Sequence, residues 1–279
     1  MSTRTGDRAH AVTSHVLLGF GAVLVVVPFL WVFLSSFKTT KEILASPFSL
    51  PANPGIENYV NAWTDAGIGK YFLNTLVVVT CALILVMLLG ALTAYVLARF
   101  DFPGNRLIYN LMLAGLTFPV FLAIVPLFFV LRNAGLLNTL PGLIVTYVAF
   151  AFPFTVFFLF SFFRSLPHEV GEAAQVDGAG EWRTFFQIML PMARPGMASV
   201  AIFNFLGLWN QFLLPVALNT DTDNYVLTQG MAQFSSQAGY EIDFGALYAG
   251  VVMTVIPVLV VYVLFQRRLQ GSVAQGTFR

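Results

Sequence analysis

The chain has 279 residues, of which 58% are hydrophobic and only 10% are charged, and its formal net charge is +1. An ordinary soluble domain carries roughly 25% charged residues, so lipid must replace water around much of this surface. The near-neutral balance, with no run of basic residues, gives no sign of a nucleic-acid partner. The single cysteine, Cys81, excludes an intrachain disulfide.

Six apolar segments are each long enough to cross about 30 Å of hydrocarbon at about 1.5 Å per residue. They are residues 12–37, 71–98, 107–131, 141–163, 195–218 and 244–266. The sequence therefore predicts an all-α integral membrane protein: an N-terminal tail (1–11), a six-helix membrane domain (12–266) and a C-terminal tail (267–279). Several spans carry mid-span prolines that are expected to kink the helices without ending them: Pro28, Pro119, Pro126, Pro153 and Pro257.

The distribution of Lys and Arg predicts the orientation of the spans, because basic residues concentrate in cytoplasmic loops. With the N-terminus inside, the inner segments hold ten basic residues: Arg4, Arg8, Arg99, Arg106, Arg164, Arg183, Arg194, Arg267, Arg268 and Arg279. The outer segments hold four: Lys38, Lys41, Lys70 and Arg132. The outer loop 219–243 has no basic residue and four acidic ones: Asp221, Asp223, Glu241 and Asp243. We therefore expect both termini to be cytoplasmic.

The apolar cores of the six spans contain no Asp, Glu, Lys, Arg or His, since His15 precedes the first core at Val16–Phe37. This argues against a proton relay and a voltage sensor, which need titratable or charged groups at membrane depth. It also argues against an intramembrane metal site, and we predict neither metal ligands nor catalytic residues. No GxxxxGK[ST] phosphate-binding loop is present, so energy for uphill transport has to come from elsewhere. A sodium-coupled carrier, which uses carbonyls and hydroxyls, stays open as an alternative, as does a purely structural scaffold.

A charged loop, residues 164–194, joins the fourth and fifth spans on the predicted cytoplasmic side. Leu166-Pro167 ends the fourth span, and residues 168–176 are expected to form a short helix. Glu169 and Glu172 lie early in that helix, where carboxylates suit the positive end of the helix dipole.

Gly178 and Gly180 are expected to break this helix, and a second helix over 181–189 is expected to end at Leu190-Pro191. The first helix should carry one apolar face, made by Ala173, Ala174 and Val176. From the pattern alone, the loop is equally a solvated connection or a protrusion that presents this face to a partner.

The loop carries a specific motif, EAA-x3-G-x9-I-x-LP, whose fixed positions are Glu172, Ala173, Ala174, Gly178, Ile188, Leu190 and Pro191. With it the chain resembles the membrane subunits of binding-protein-dependent ABC importers. The stretches PANPGIENYVNAW, YFLNTLVVV, AYVLARFDFPG and FNFLGLWNQFLLPVAL resemble the carbohydrate-uptake branch, and within it the maltose-type "G" half. The tail LQGSVAQGTFR departs from the GLTAGAVKG-like ending of that family, which puts a contact between the tail and the ATPases in doubt.

The resemblance implies a permease of a bacterial inner membrane that forms half of a pathway for a sugar, a di- or oligosaccharide. Its implied partners are a second, F-type permease half, two ATP-binding cassette subunits and an extracellular sugar-binding protein. ATP and Mg would be bound and hydrolysed by the cassette subunits, and this chain would bind no cofactor. The seven motif residues would form a coupling helix seated on one ATPase subunit, with Gly178 making the bend.

Polar residues in the predicted fifth span are candidates for the sugar pathway: Asn204, Trp209, Asn210 and Gln211. Amides that bind sugar hydroxyls and a Trp that stacks on a sugar ring would explain them, with Asn204 and Gln211 on one helix face. Hydrogen bonding between helices, at about 0.6 kcal/mol each, is the favoured explanation, with the sugar contacts as the alternative. Asn74 and Thr75 in the second span are interpreted as packing contacts.

Overall fold

The computed structural model of the chain describes residues 3–237 and 243–275, with side chains for 12–236 and 243–266. The regular secondary structure of these residues is helical, with no β-strand among them, which confirms the predicted all-α class. The α-helices are α1 (Thr3–Ser35), α2 (Thr40–Ala45), α3 (Glu57–Thr64), α4 (Ile68–Arg99), α5 (Asn105–Thr117), α6 (Val120–Asn133), α7 (Leu140–Ser165), α8 (His168–Val176), α9 (Glu181–Arg183), α10 (Leu190–Met192), α11 (Arg194–Trp209), α12 (Leu213–Leu218), α13 (Leu227–Gln237) and α14 (Phe244–Gln275). A π-helix (Thr184–Met189) follows α9, and a 3₁₀ turn (Thr222–Asn224) follows α12. Glu241 and Arg279 lie outside the described residues.

Four helical segments of the described chain are each long and apolar enough to cross a bilayer: Val12–Ser35, Ile68–Arg99, Leu140–Ser165 and Phe244–Gln266. They correspond to the predicted first, second, fourth and sixth spans. Pro28, Pro153 and Pro257 lie inside continuous helices, as does Pro126 in α6, so these four prolines do not end a helix. Neighbouring groups can satisfy the carbonyls that such prolines leave without a partner.

The predicted third span is two helices and not one. α5 ends at Thr117, α6 begins at Val120, and the helix axis bends by 107° between them. Phe118 is extended (ψ 123°), and so is Pro119 (ψ 121°). Proline has no N–H to continue a helix and disfavours helical backbone at the preceding residue. The expectation that Pro119 only kinks the helix is therefore wrong.

The predicted fifth span is also broken, between Trp209 at the end of α11 and Leu213 at the start of α12. Pro215 lies inside α12 and has no N–H to offer the carbonyl of Gln211, four residues earlier. The Thr228 hydroxyl donates to that carbonyl instead, at 2.7 Å. A hydroxyl from outside the helix thus supplies the hydrogen bond that the backbone cannot make.

The chain divides into two compact units, residues 1–69 with 231–256, and residues 70–230 with 257–279. In the first unit, Lys38 is 1% exposed. Its ammonium donates to the carbonyls of Ser46 and Pro47, each at 3.2 Å, and to the Ser49 hydroxyl at 3.3 Å. A buried charge requires such partners. Lys38 therefore fixes the segment after α2, although the sequence suggested only a loop charge.

In the second unit, a buried apolar cluster joins four helices around the charged loop. It includes residues of α4 (Val86, Ala91, Ala94, Tyr95), of α7 (Val156, Leu159, Phe163), of the π-helix (Phe185, Met189) and of α11 (Val200). α4 and α7 approach so closely that a Cβ on Gly90 would lie 2.5 Å from Cγ2 of Thr155. The π-helix of the loop therefore shares its core with three long helices.

Candidate functional site

The first helix of the charged loop ends in a turn that requires glycine. α7 ends at Ser165 and α8 covers His168–Val176, as the sequence predicts. Gly178 has φ +76°, the left-handed region that favours glycine. The N–H of Gly178 donates to the Gln175 carbonyl (3.0 Å) and the N–H of Ala179 donates to the Ala174 carbonyl (2.9 Å). These two bonds define a Schellman motif, which satisfies the last carbonyls of α8.

Gly180 plays a different part from the one expected. Its φ of −69° and ψ of 164° are extended backbone open to any residue, and it is the N-cap of α9. The side-chain amide of Gln175 donates to Glu181 at 3.3 Å across the turn. The break between the two loop helices therefore depends on Gly178 alone.

The inner face of the loop is held by aromatic packing. Phe185 of the π-helix lies 5.0 Å from Tyr95 of α4 and 6.2 Å from Phe163 of α7, measured between ring centroids. Tyr95 and Phe163 are themselves 5.6 Å apart. All three rings are at least 95% buried, so the loop is fixed to both helices.

Arg99, the last residue of α4, also holds the loop. Its Nη2 donates at 2.7 Å to the carbonyl of Leu166, which joins α7 to α8. The Nε of Arg99 and the Oγ1 of Thr184 are buried without a hydrogen-bond partner among the described residues. Both residues line a cavity of about 200 Å³ together with Glu172 and Glu181. This polar space beneath the loop is of the kind that holds ordered water.

The prediction that Ala173, Ala174 and Val176 form one apolar face of α8 is wrong. Ala174 is buried inside the chain (4% exposed), whereas Ala173 and Val176 point to solvent, and Val176 is 88% exposed. The three cannot share a face, because residues 173 and 176 are one turn apart and residue 174 is rotated by about 100° from residue 173. Ala174 therefore serves packing within the chain and is not available to a partner.

The outer surface of the loop is apolar and aromatic as well as acidic. Trp182 is 69% exposed and Phe186 is 42% exposed, and their rings stack with centroids 6.0 Å apart at 14°. Val176 and Glu172 are exposed on the same loop, and Glu172 also lines the mouth of the cavity described above. These four residues are called the outer surface of the loop below. The sequence pattern did not single out Trp182 or Phe186, although exposed large rings outside a span are a recognisable signal of a binding surface.

The second half of the motif lies in a helix of unusual hydrogen bonding. The expected helix over 181–189 is interrupted by the π-helix, in which the N–H of Leu190 donates to the carbonyl of Phe185, five residues earlier. The helix was expected to end at Leu190-Pro191, but it continues to Met192. Pro191 has no N–H, so an α-helical bond to the carbonyl four residues earlier is impossible. Ile188, Leu190 and Pro191 are all half-buried.

Asn204 of α11 lies in the interior between helices. It is 5% exposed, and its amide donates to the hydroxyl of Thr155 on α7 (2.8 Å) and approaches the sulfur of Met87 on α4 (3.6 Å). Of the two explanations given for this residue, the structure agrees with hydrogen bonding between helices. Asn204 therefore holds α11 against α4 and α7.

The other polar residues of the predicted fifth span lie at the break after α11. Trp209 is 2% exposed and packs on Phe205 and Phe72, with centroids 5.6 and 5.7 Å away. Asn210 is exposed, and Gln211 is half-buried beyond the end of the helix. The prediction that Gln211 shares a helix face with Asn204 is therefore wrong. Non-helical backbone at membrane depth persists only inside protein or beside water, which keeps this break a pathway candidate.

Asn74 and Thr75 act as packing residues. The Asn74 amide donates to the carbonyls of Asp223 (3.1 Å) and Tyr225 (2.9 Å), and the Thr75 hydroxyl accepts from the N–H of Leu227 (2.7 Å). The ammonium of Lys70 bonds Asp223 at 2.6 Å and holds the pKa of that carboxyl below its usual value. These bonds fix the segment 223–227 to the start of α4.

Comparison with known proteins identifies the family of the chain. Residues 86–275, which contain the whole loop and α11, match the family of binding-protein-dependent transport system inner membrane components. The chain belongs to this family. The resemblance inferred from the EAA motif is thereby confirmed, and this inner membrane component is a transport permease and not an enzyme.

The similarity of this inner membrane component to its relatives extends over nearly its full length. It is 73% identical over 275 residues to the diacetylchitobiose uptake system permease protein NgcG of Streptomyces coelicolor, covering 99% of this chain and 91% of that protein. It is 30% identical over 269 residues to the trehalose transport system permease protein SugB of Mycobacterium tuberculosis, covering 96% of each. Its fold matches a chain in the crystal structure of a bacterial ABC transporter involved in alginate import, with TM-score 0.81, 21% identity and coverage of 94% and 97%.

Proposed function

We propose that this permease is one of two membrane halves of an ATP-driven importer for a short N-acetylated sugar, with diacetylchitobiose as its substrate. The observation that carries the proposal is the 73% identity, over 99% of the chain, to a diacetylchitobiose uptake permease. A neutral disaccharide also suits a chain whose span cores contain no charged side chain. Hydroxyl and amide groups of such a sugar can be bound by amides and carbonyls alone.

Three kinds of protein partner complete the proposed importer. A second, F-type permease half supplies the other wall of the pathway, two ATP-binding cassette subunits hydrolyse ATP with Mg, and an extracellular binding protein delivers the sugar. This chain itself binds no cofactor in the proposal. The six proposed crossings comprise the four continuous spans and two broken ones, α5–α6 and α11–α12, and both termini face the cytoplasm.

The loop 164–194 is proposed to couple the permease to one cassette subunit. Its outer surface offers Glu172 for a charge-assisted hydrogen bond and Val176, Trp182 and Phe186 for apolar contact. The buried rings on the inner face, described above, connect the loop to α4 and α7. A cassette subunit that moves the outer surface would therefore move several spans together, as packed elements shift as units.

The sugar pathway is proposed to pass the break after α11. Asn210 and Gln211 leave their helix there and are not fully buried. Asn204 and Trp209 are buried and support this break through their packing. We therefore propose direct sugar contacts for Asn210 and Gln211, and supporting roles for Asn204 and Trp209.

Uptake by a deletion strain tests the substrate. A strain that lacks this permease should lose uptake of labelled diacetylchitobiose and regain it when the permease is restored. Trehalose is the matched control, because it is a disaccharide without N-acetyl groups. Equal dependence of trehalose uptake on the permease would show that the substrate assignment is wrong, and unchanged uptake on deletion would indicate a scaffold.

Reconstitution tests the source of energy. Vesicles that contain the permease, its membrane partner and the cassette subunits should accumulate sugar only with ATP on the cassette side and binding protein on the other. Accumulation driven by a sodium gradient, with no cassette subunit present, would establish the secondary carrier and overturn the importer.

A further inference from the structure

A second cavity shares Arg99 and His168 with the space beneath the loop. It measures about 560 Å³ and is formed where α4 ends, α5 begins and α7 ends. Arg99, Arg106 and Arg164 line it, each from a different helix, and Asp101 is the one carboxylate in its wall. These lining residues define the basic cavity. It uses none of the motif residues of the loop.

The positive charge of the basic cavity is only partly compensated within the described part of the chain, where three arginines face one aspartate. None of the three arginines forms an ion pair there. Arg99 uses Nη2 for the Leu166 carbonyl, and its Nε is buried without a partner. Three guanidinium groups beside a single carboxylate favour an oxyanion, and their planar donors match two oxygens of a phosphate.

Aromatic packing holds one of these charges in place. The guanidinium of Arg164 lies 5.8 Å from the ring centroid of Phe160, within the range of a cation–π contact. Phe160 in turn packs on Tyr109 of α5, with centroids 4.3 Å apart. Both rings line the cavity. The wall that carries Arg164 is therefore ordered before any ligand arrives.

The surface beside the basic cavity is apolar and exposed. Arg106 and Asn110 of α5 line the cavity one turn apart, and the residues next to them, Leu107 and Leu111, are 64% and 56% exposed. α5 and α6 together are long and apolar enough for a membrane segment. A phosphate with acyl chains would use both parts of this surface, whereas a free phosphate would leave the apolar part unused.

We propose that the basic cavity binds the headgroup phosphate of an anionic phospholipid, with its acyl chains along the Leu107 and Leu111 side of α5. Arg106 and Arg164 contact the phosphate, and Arg99 adds charge from the cavity wall. The bound lipid fills the space between α4, α5 and α7. This inference is independent of which sugar is transported.

Native mass spectrometry of the complete, delipidated transporter tests the site. The probe is an equal mixture of phosphatidylglycerol and phosphatidylcholine with matched acyl chains. The wild-type complex should retain phosphatidylglycerol in preference. Arg106→Gln and Arg164→Gln should each lower its apparent affinity by about five-fold, the factor for one basic residue at an anionic lipid. Asp101→Asn, which removes the opposing charge, should raise the affinity.

The control is Arg194→Gln, an exposed arginine at the start of α11 that does not line the cavity. Phosphatidylglycerol retention should be unchanged in this variant. An equal loss in Arg194→Gln would mean general surface attraction and overturn the site. An unaltered affinity in all three variants, Asp101→Asn, Arg106→Gln and Arg164→Gln, would also overturn the site. Full displacement of the lipid by millimolar inorganic phosphate would overturn it as well and would reassign the cavity to a soluble anion.

Discussion

Substitution of Gly178 should uncouple ATP hydrolysis from transport, and the neighbouring Gly180 provides its control. Gly178→Val places a β-branched residue at φ +76°, whereas Gly180→Val places the same residue at φ −69°. A Cβ at either position would meet no described atom within 4 Å, so neither substitution introduces a steric clash at this atom. The two variants differ only in the backbone conformation that valine must adopt.

The magnitude follows from this difference. Left-handed backbone costs an L-residue roughly 1–2 kcal/mol, and more when the side chain is β-branched. The two Schellman hydrogen bonds that Gly178 permits contribute about 0.5–1.5 kcal/mol each. The conformational strain of valine at position 178 is therefore comparable with the free energy that the two hydrogen bonds of the turn contribute. At about 1.4 kcal/mol per factor of ten, the population of the native turn should fall by about five- to thirty-fold.

The assay is ATP hydrolysis by the reconstituted transporter, stimulated by binding protein and sugar. Gly178→Val should lose most of this stimulated rate, while the basal rate of the isolated cassette subunits is unchanged. Gly178→Asn should keep more of it, since Asn tolerates left-handed backbone better than other residues. Gly180→Val should resemble the wild type, and all variants should insert in normal amounts.

Two results would refute this reasoning. If Gly178→Val hydrolyses ATP and transports at the wild-type rate, the loop is a passive connection. If Gly180→Val fails as badly as Gly178→Val, the damage comes from side-chain size or hydrophobicity and not from the left-handed turn.

Three further predictions follow from the same geometry. Glu172→Ala should reduce stimulated ATP hydrolysis, because a charge-assisted hydrogen bond of about 1.5–3 kcal/mol to a cassette subunit is lost; an unchanged rate would remove Glu172 from the coupling contact. Asn204→Ala should lower the unfolding midpoint, through loss of an interhelical hydrogen bond of about 0.6 kcal/mol, and leave the KM for sugar unaltered; a raised KM without a stability loss would make Asn204 a sugar ligand. In a Cys81→Ala background, an impermeant thiol reagent should label Asp223→Cys in intact cells and not Arg183→Cys; the opposite labelling would reverse the proposed orientation.

Local signals in the sequence predicted the loop well. Leu166-Pro167 marks the end of α7 correctly, and the glycine at 178 has the left-handed backbone that a helix-ending turn needs. Both signals depend only on neighbouring residues, so the local sequence is sufficient to predict the helix end and the turn. The burial of Ala174 was not predictable in this way, because α8 packs on the π-helix, which comes later in the chain and itself contacts Tyr95 of α4.

Breaks within apolar segments were harder to predict. Hydropathy averages side chains over a window and is insensitive to a missing backbone hydrogen bond, so the segment around Asn210 scores as continuous. Pro215 removes one such bond, but the break persists because Thr228, far along the chain, satisfies the carbonyl of Gln211. Pro119 ends a helix whereas Pro126, seven residues later, does not. Local sequence around the two prolines does not distinguish these outcomes.

The π-helix also determines how far α11, which follows it, is rotated about the helix axis relative to the loop. From Met189 onward, α-helical bonding continues through Ala193, whose N–H donates to the Met189 carbonyl (3.0 Å) and whose carbonyl accepts from Met197 (2.8 Å). A π-turn contains one residue more than an α-turn, and each α-helical residue advances the azimuth by about 100°. Deleting a single residue between 184 and 189 would therefore rotate α11 by about that angle against the loop. Phe185 and Asn204 face their partners at the same time only because that extra residue is present.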